Sequence, residues 1–254
     1  MTDAHPLRTA FRHGETTAVR EAASQQIDAA RRTGDTAGEV EGLYALARVA
    51  LRDQDLQVAR DRAEEALAVA RRTGERRLEE RPLHVLAAVA RLSGDHERAT
   101  VLYEASIDLN RALGNEVNVH TESHNLALSE LQLGHVDRAR ELMAASVDRV
   151  HQGGLDDFVP YLGLAGAALA LADDDPRRAA RLIGFTDQAF VGLGQVPDPD
   201  DASELEALRG RVVAELGATT VQTELAAGAS WSLTEAFGST RARASGSMRK
   251  DDDA

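Results

Sequence analysis

An all-α solenoid of stacked helix pairs is the fold class that the sequence predicts, and three observations carry it. Gly34, Gly74, Gly114, Gly154 and Gly194 recur at a constant spacing of forty residues, each after a helix-forming run. A glycine in that place supplies the left-handed backbone that ends a helix. A second punctuation falls between them at Gly14, Gly94 and Gly134, with Gln54 and Asp174 at the equivalent places. Two alanine columns keep the same register, Ala59, Ala99, Ala139 and Ala179 in one and Ala47, Ala87, Ala127 and Ala167 in the other. One helix pair cannot bury its apolar face alone, so units at such a period stack on their neighbours.

Taken in order, residues 1–13 read as an incomplete first helix, and Gly14 opens the second helix of that unit, which runs to Arg32. Full repeats follow over 35–74, 75–114, 115–154 and 155–194, so that 1–194 form the repeat region. Each is expected to be a short helix, a tight turn, a longer helix and a looser turn. Pro82 and Pro160 fall near starts of the short helix and Pro176 at the start of a long one, where proline is tolerated. Leu43, Leu46, Ala47 and Ala50 form one apolar stripe at helical spacing. The link QVPDPDD, 195–201, breaks the pattern, and its acids read as helix caps and solvated linker. Helices expected over 202–216, 220–227 and 233–237 make 195–238 a capping unit with Trp231 packed inside it. Residues 239–254 lack apolar periodicity and read as a disordered tail.

Composition narrows the function classes. Cysteine is absent, which excludes disulfides, thiolate zinc sites and cysteine nucleophiles. The N-terminus lacks the apolar core of a signal peptide. The most apolar stretch, 161–172, is too short to span a bilayer. A cytoplasmic protein without a membrane contact is therefore expected. The net charge of −13 argues against direct nucleic-acid binding, which relies on phosphate neutralisation. Lys250 is the only lysine, and such arginine usage points to a high-GC bacterial genome.

The alanine and glycine pattern, and phrases such as HNLALSELQLGHVDRARELM, resemble tetratricopeptide (TPR) repeats with lengthened helices. The usual TPR period is about 34 residues, and HEAT-type repeats of about 40–47 are the structural alternative. Small residues on either side of a short turn favour TPR. The implied fold is a right-handed TPR-like solenoid with C-terminal capping helices. The phrases ARLIGFTDQAFVGLG, LRGRVVAELG and AAGASWSLTEAF further resemble the TPR ends of large bacterial signal-transduction ATPases. Those are LuxR-type regulators, antibiotic-pathway regulators and related cyclases, and the likeness covers roughly 14–237. In that family the array is a sensor or docking arm beside an ATPase and a DNA-binding domain. No G-x-x-x-x-G-K-[ST] loop is present here, so the resemblance implies the arm and not the motor.

The TPR resemblance also implies which stripe lines a concave groove. Starting from Glu41, Tyr44, Arg48 and Leu51 and copying forward by forty residues gives Arg81, His84 and Arg91 in the second repeat and His124 in the third. Asn125 is the only asparagine in its column, and its amide can donate and accept at once toward a peptide. His120 lies at the edge of the stripe. Tyr44, His84 and His124 form a ladder, one per repeat, with arginines around it. That mixture suits an acidic or carboxylate-bearing protein or peptide, and a small-molecule effector is a further candidate. In HTESH, 120–124, His120 and His124 share a face, but two histidines leave a zinc site incomplete. No nucleophile elbow G-x-S-x-G occurs. The expectation is a non-enzymatic interaction module, regulatory or signal-sensing, with no catalytic residues, cofactor or metal. The alternative is a small-molecule-binding protein or enzyme with a pocket around Tyr44, His84 and His124.

Overall fold

The computed structural model describes residues 6–153 and 155–238. Residues 1–5, Gly154 of the glycine column and the expected tail at 239–254 lie outside the described residues. Within them the chain is helical and contains no strand. The helices are α1 (Pro6–Arg12), α2 (Thr16–Thr33), α3 (Thr36–Arg52), α4 (Leu56–Thr73), α5 (Glu80–Leu92), α6 (His96–Ala112) and α7 (Glu116–Gln132). They continue as α8 (Val136–Gln152), α9 (Val159–Ala172), α10 (Pro176–Leu193), α11 (Pro199–Leu216), α12 (Ala218–Ala229) and α13 (Leu233–Phe237). Short 3-10 turns at Arg76–Leu78 and Asp156–Phe158 precede α5 and α9.

Each repeat closes its inner turn by one device. Asp55 N–H bonds to Ala50 O, Asp95 to Ala90, His135 to Glu130 and Asp175 to Ala170, at 2.8–3.0 Å. These close the Schellman turn, which needs a left-handed residue just before the donor. That residue is Gly94 and Gly134 in two repeats, but Gln54 (φ 62°) and Asp174 (φ 56°) in the others, so side chains there accept a conformation that glycine takes freely. The next residue then caps the following helix. Asp55, Asp95 and Asp175 each accept a bond from the backbone N–H three residues on, a contact worth about 1 kcal/mol per helix. Asp35 does the same for α3.

Both alanine columns are buried. Ala47, Ala87 and Ala167 are fully covered, Ala127 is 2 % exposed, and Ala59, Ala99, Ala139 and Ala179 are fully covered. Consecutive helices pack pairwise, and the first helices of successive repeats, α3, α5, α7 and α9, also stack on one another. The preceding leucines are less uniform, for Leu126 is buried while Leu46 and Leu86 are half-buried. The short-then-long alternation appears only in the second and fourth repeats. There α5 has 13 residues and α9 has 14, because a 3-10 turn takes their first turn. In the first and third repeats α3 and α7 have 17 residues, close to α4 with 18 and α8 with 17.

The last three helices do two different things. α12 lies on α10 at a crossing of glycines: a Cβ on Gly228 would meet the carbonyl of Arg181, and one on Gly184 the carbonyl of Leu225. Phe237 of α13 meets Phe185 edge-on at 6.0 Å, and Trp231 packs half-buried on the same core, with Arg181 above its ring. α11 instead turns back into the array and contacts α3, α5 and α9 as well as α10. It starts at Pro199, three residues earlier than expected, because proline presets the first helical residue and Asp200 and Asp201 suit the positive helix start.

Candidate functional site in the concave groove

α11 reaches the first helix of each repeat, so the face made by α3, α5, α7 and α9 is the inner one. The sequence-predicted stripe lies there. Tyr44 and Arg48 come from α3, Arg81, His84 and Arg91 from α5, and His120, His124 and Asn125 from α7. Residues 195–201 cross in front of them. Val196 N–H bonds to Arg12 O at 3.0 Å, and His13 Nδ1 lies 3.0 Å from Gly194 O, so the crossing segment is tied to α1.

The segment was expected to be a solvated linker, and the structure corrects that: Asp200 is 4 % and Asp201 3 % exposed. Their carboxylates meet the stripe. Arg48 Nη2 donates to Asp198, and Arg91 Nη2 donates to Asp200 and, at 3.5 Å, to Asp201. His124 Nε2 lies 3.4 Å from Asp201 and Asn125 Oδ1 3.5 Å from Arg91. The physical cause is charge balance. Arginines facing a closed groove must be paired to be buried, and the four-residue run DPDD supplies the anions. Burial works against the Asp200 charge, but Arg91, then His84, hold its pKa below the usual range. Asp201 is pushed up by burial and by the Asp200 charge beside it.

Three of the predicted residues are thus locked under α11 and a fourth against Phe158. Arg91, His124 and Asn125 join the aspartates, and His120 is buried edge-on against Phe158 with ring centroids 4.5 Å apart. The other four stay beside an open cavity. Arg48 and Arg81 flank the Tyr44 ring at 5.6 and 5.2 Å, and His84 lies next to them. Sequence reasoning missed Glu122, which is 2 % exposed and accepts from His84 Nδ1 at 3.0 Å and from Ser106 at 3.1 Å. It also missed Asp198, Asp200 and Asp201. The signal available was three arginines in one inward stripe of an acidic chain, which calls for acidic partners. Among the described residues no group of three or more His, Asp or Glu is placed to hold a metal, and no described helix is long and apolar enough to cross a membrane.

Two of these imidazoles, half-buried His84 and buried His120, titrate in opposite directions. Burial alone would lower the His84 pKa, but the Glu122 charge and hydrogen bond override it and raise it to about 10. His120 is lowered to about 4 by burial and by His124. His84 therefore contributes stability that is complete below about 6.5 and is lost as pH rises through 10. His120 costs stability as pH falls from 6.5 toward 4, where only the unfolded chain takes up the proton. Melting temperatures measured from pH 4 to 10 are expected to show both limbs. His84→Gln should flatten the alkaline one and His120→Gln the acid one. Unchanged limbs in both variants would show that these side chains are solvated.

The profile of the tetratricopeptide repeat family matches residues 39–112. No curated protein is significantly similar in sequence. Among solved structures the chain resembles the crystal structure of BtubC (BKLC) from P. vanneervenii, at 21% identity and a TM-score of 0.56, over 92% of this chain and 93% of that one. At that identity the likeness speaks to the fold. Tetratricopeptide repeats generally mediate protein–protein interaction. With its forty-residue helix pairs, buried alanine columns and matched repeats, the chain is an all-α, TPR-like solenoid.

Proposed function

We propose that the chain is a non-enzymatic interaction module, regulatory or signal-sensing, that docks a protein or peptide through its concave face. One observation carries it: the stripe already takes carboxylates, from Asp198, Asp200 and Asp201 of its own chain. The resemblance to the TPR arms of LuxR-type ATPase regulators supports the regulatory part. Arginine usage supports a bacterial source, and the net charge of −13 disfavours nucleic acid as the direct partner. Against the enzyme alternative, His84 and His124 are engaged by different carboxylates, Glu122 and Asp201.

A photo-crosslinking residue tests this in cells. Placed at Thr121, which lines the groove, it is expected to trap a protein partner. Placed at Arg98, exposed on α6, it should not. Adducts from Arg98 alone, or from neither position, would move the docking surface off the concave face.

A further inference from the structure

Part of the concave face is covered by the chain itself. Arg91, His124 and Asn125 are only 5, 6 and 3 % exposed, and they lie under the first turn of α11 and the link before it. Contacts that come apart are more polar than permanent ones. α11 buries Pro199, Asp200, Asp201, Leu205, Leu208 and Val212, and those bonded to the stripe are the two carboxylates.

The cover is built to come away. Lifting α11 returns Arg91, Asp200 and Asp201 to water together, so the desolvation penalty of the buried pairs is recovered as their attraction is lost. Packing beneath it is incomplete. A cavity of about 50 Å³ remains between the link and His84, Thr121, His124 and Asn125, above the ~15 Å³ that one water needs. The link's tie to α1 through His13 and Gly194 O is exposed. Gly194 (φ 61°) and Gly217 (φ 76°) bound the link and α11, and glycine lets the backbone swivel at both ends.

We propose that the link and α11 form an autoinhibitory strap, which swings off α5 and α7 to free Arg91, His124 and Asn125 when a partner docks. This regulation rests on the concave face being the docking face. It places the strap at the low-stability end of the molecule, where segments open without global unfolding.

The chain has no cysteine, so one introduced thiol reports on its own position. Leu205→Cys puts a thiol on the buried face of α11, and Ala99→Cys puts one in the buried alanine column of α6. Asp200→Asn with Asp201→Asn strands the Arg91 charge beneath the strap, and should speed N-ethylmaleimide labelling of the α11 thiol about tenfold or more. The α6 thiol should keep its rate. Adding Arg91→Leu removes the stranded charge and should return the α11 rate toward the parent's. Adducts from the crosslinking residue at Thr121 should rise severalfold in the double variant, as more molecules are open. Should that variant fail to fold, Asp198→Asn decides by the same readouts, since Asp198 is 28% exposed and its loss frees only Arg48. Both thiols labelling faster together would mean that α11 leaves only on unfolding. An unchanged α11 rate would mean that its aliphatic residues hold it. Either result overturns the strap, and faster labelling with unchanged Thr121 adducts overturns its control of docking. In all three cases the parent still yields adducts, whereas no Thr121 adducts in any variant would overturn the docking face and the control together.

Discussion

Arg91→Leu is expected to destabilise the chain by about 3–5 kcal/mol at neutral pH, the cost of breaking a buried ion pair from one side. The Arg91 side chain is 4% exposed and those of Asp200 and Asp201 5% each, so water cannot take over its role. In the parent, Asp200 is held below its ordinary pKa, so its contribution is present above the unfolded carboxylate value and lost as pH falls through the folded one. Without Arg91, burial raises both carboxyls, and their cost at pH 7 is relieved when they take up protons. The deficit should therefore shrink between pH 7 and 4.5. Adding Asp200→Asn and Asp201→Asn should recover much of it, since removing all the charges removes the uncompensated one. Urea melts of the parent, Arg91→Leu and the triple variant at both pH values measure this. A deficit below about 1 kcal/mol at pH 7 would mean that the cluster is wet and that α11 is held in the groove by its apolar residues, Leu205, Leu208 and Val212.

The repeat was legible because it is written in residues whose physics is local. A left-handed residue, a capping aspartate and an alanine at a close crossing each act within one turn or one neighbouring helix, so a forty-residue register shows them all. Gln54 and Asp174 could be aligned to glycine positions before their φ values were known, since the flanking pattern placed them. The stripe from Tyr44 to Asn125 was legible for the same reason. Its partners were not. Asp198 meets Arg48 across 150 residues, and Asp200 meets Arg91 across 109. Nothing periodic links a run of acids after the last repeat to arginines inside the first two. Read locally, DPDD is a helix start, and α11 does begin there. Only the closing of α1 against Gly194 and Val196 shows that the segment must cross the groove. Glu122 escaped for a related reason. Inside HTESH it stands between two histidines of its own helix, whereas its partners, His84 and Ser106, lie on α5 and α6.

Ala127→Glu is expected to cost more than about 4 kcal/mol, among the larger single-residue effects. Ala127 is 2 % exposed and sits in the core formed with Ala139, Met143 and residues of α9 and α10. Two terms add. The longer side chain overpacks a crossing built for a methyl group, typically 1–3 kcal/mol. Its carboxylate is then either buried unpaired or protonated against its preference, which costs a few kcal/mol more. The column makes the test specific, because Ala47, Ala87 and Ala167 hold the equivalent place and are equally covered. Ala87→Glu should therefore be about as damaging. Ala145→Glu on the exposed side of α8 should stay within about 0.5 kcal/mol. Solenoid stability is close to a sum of units and nearest-neighbour interfaces. Unfolding of Ala127→Glu should accordingly lose cooperativity, with the third repeat opening first by hydrogen exchange. A variant that melts like the parent, with Ala145→Glu as damaging as Ala127→Glu, would place α7 in a different rotation and with it the face that carries His120, His124 and Asn125.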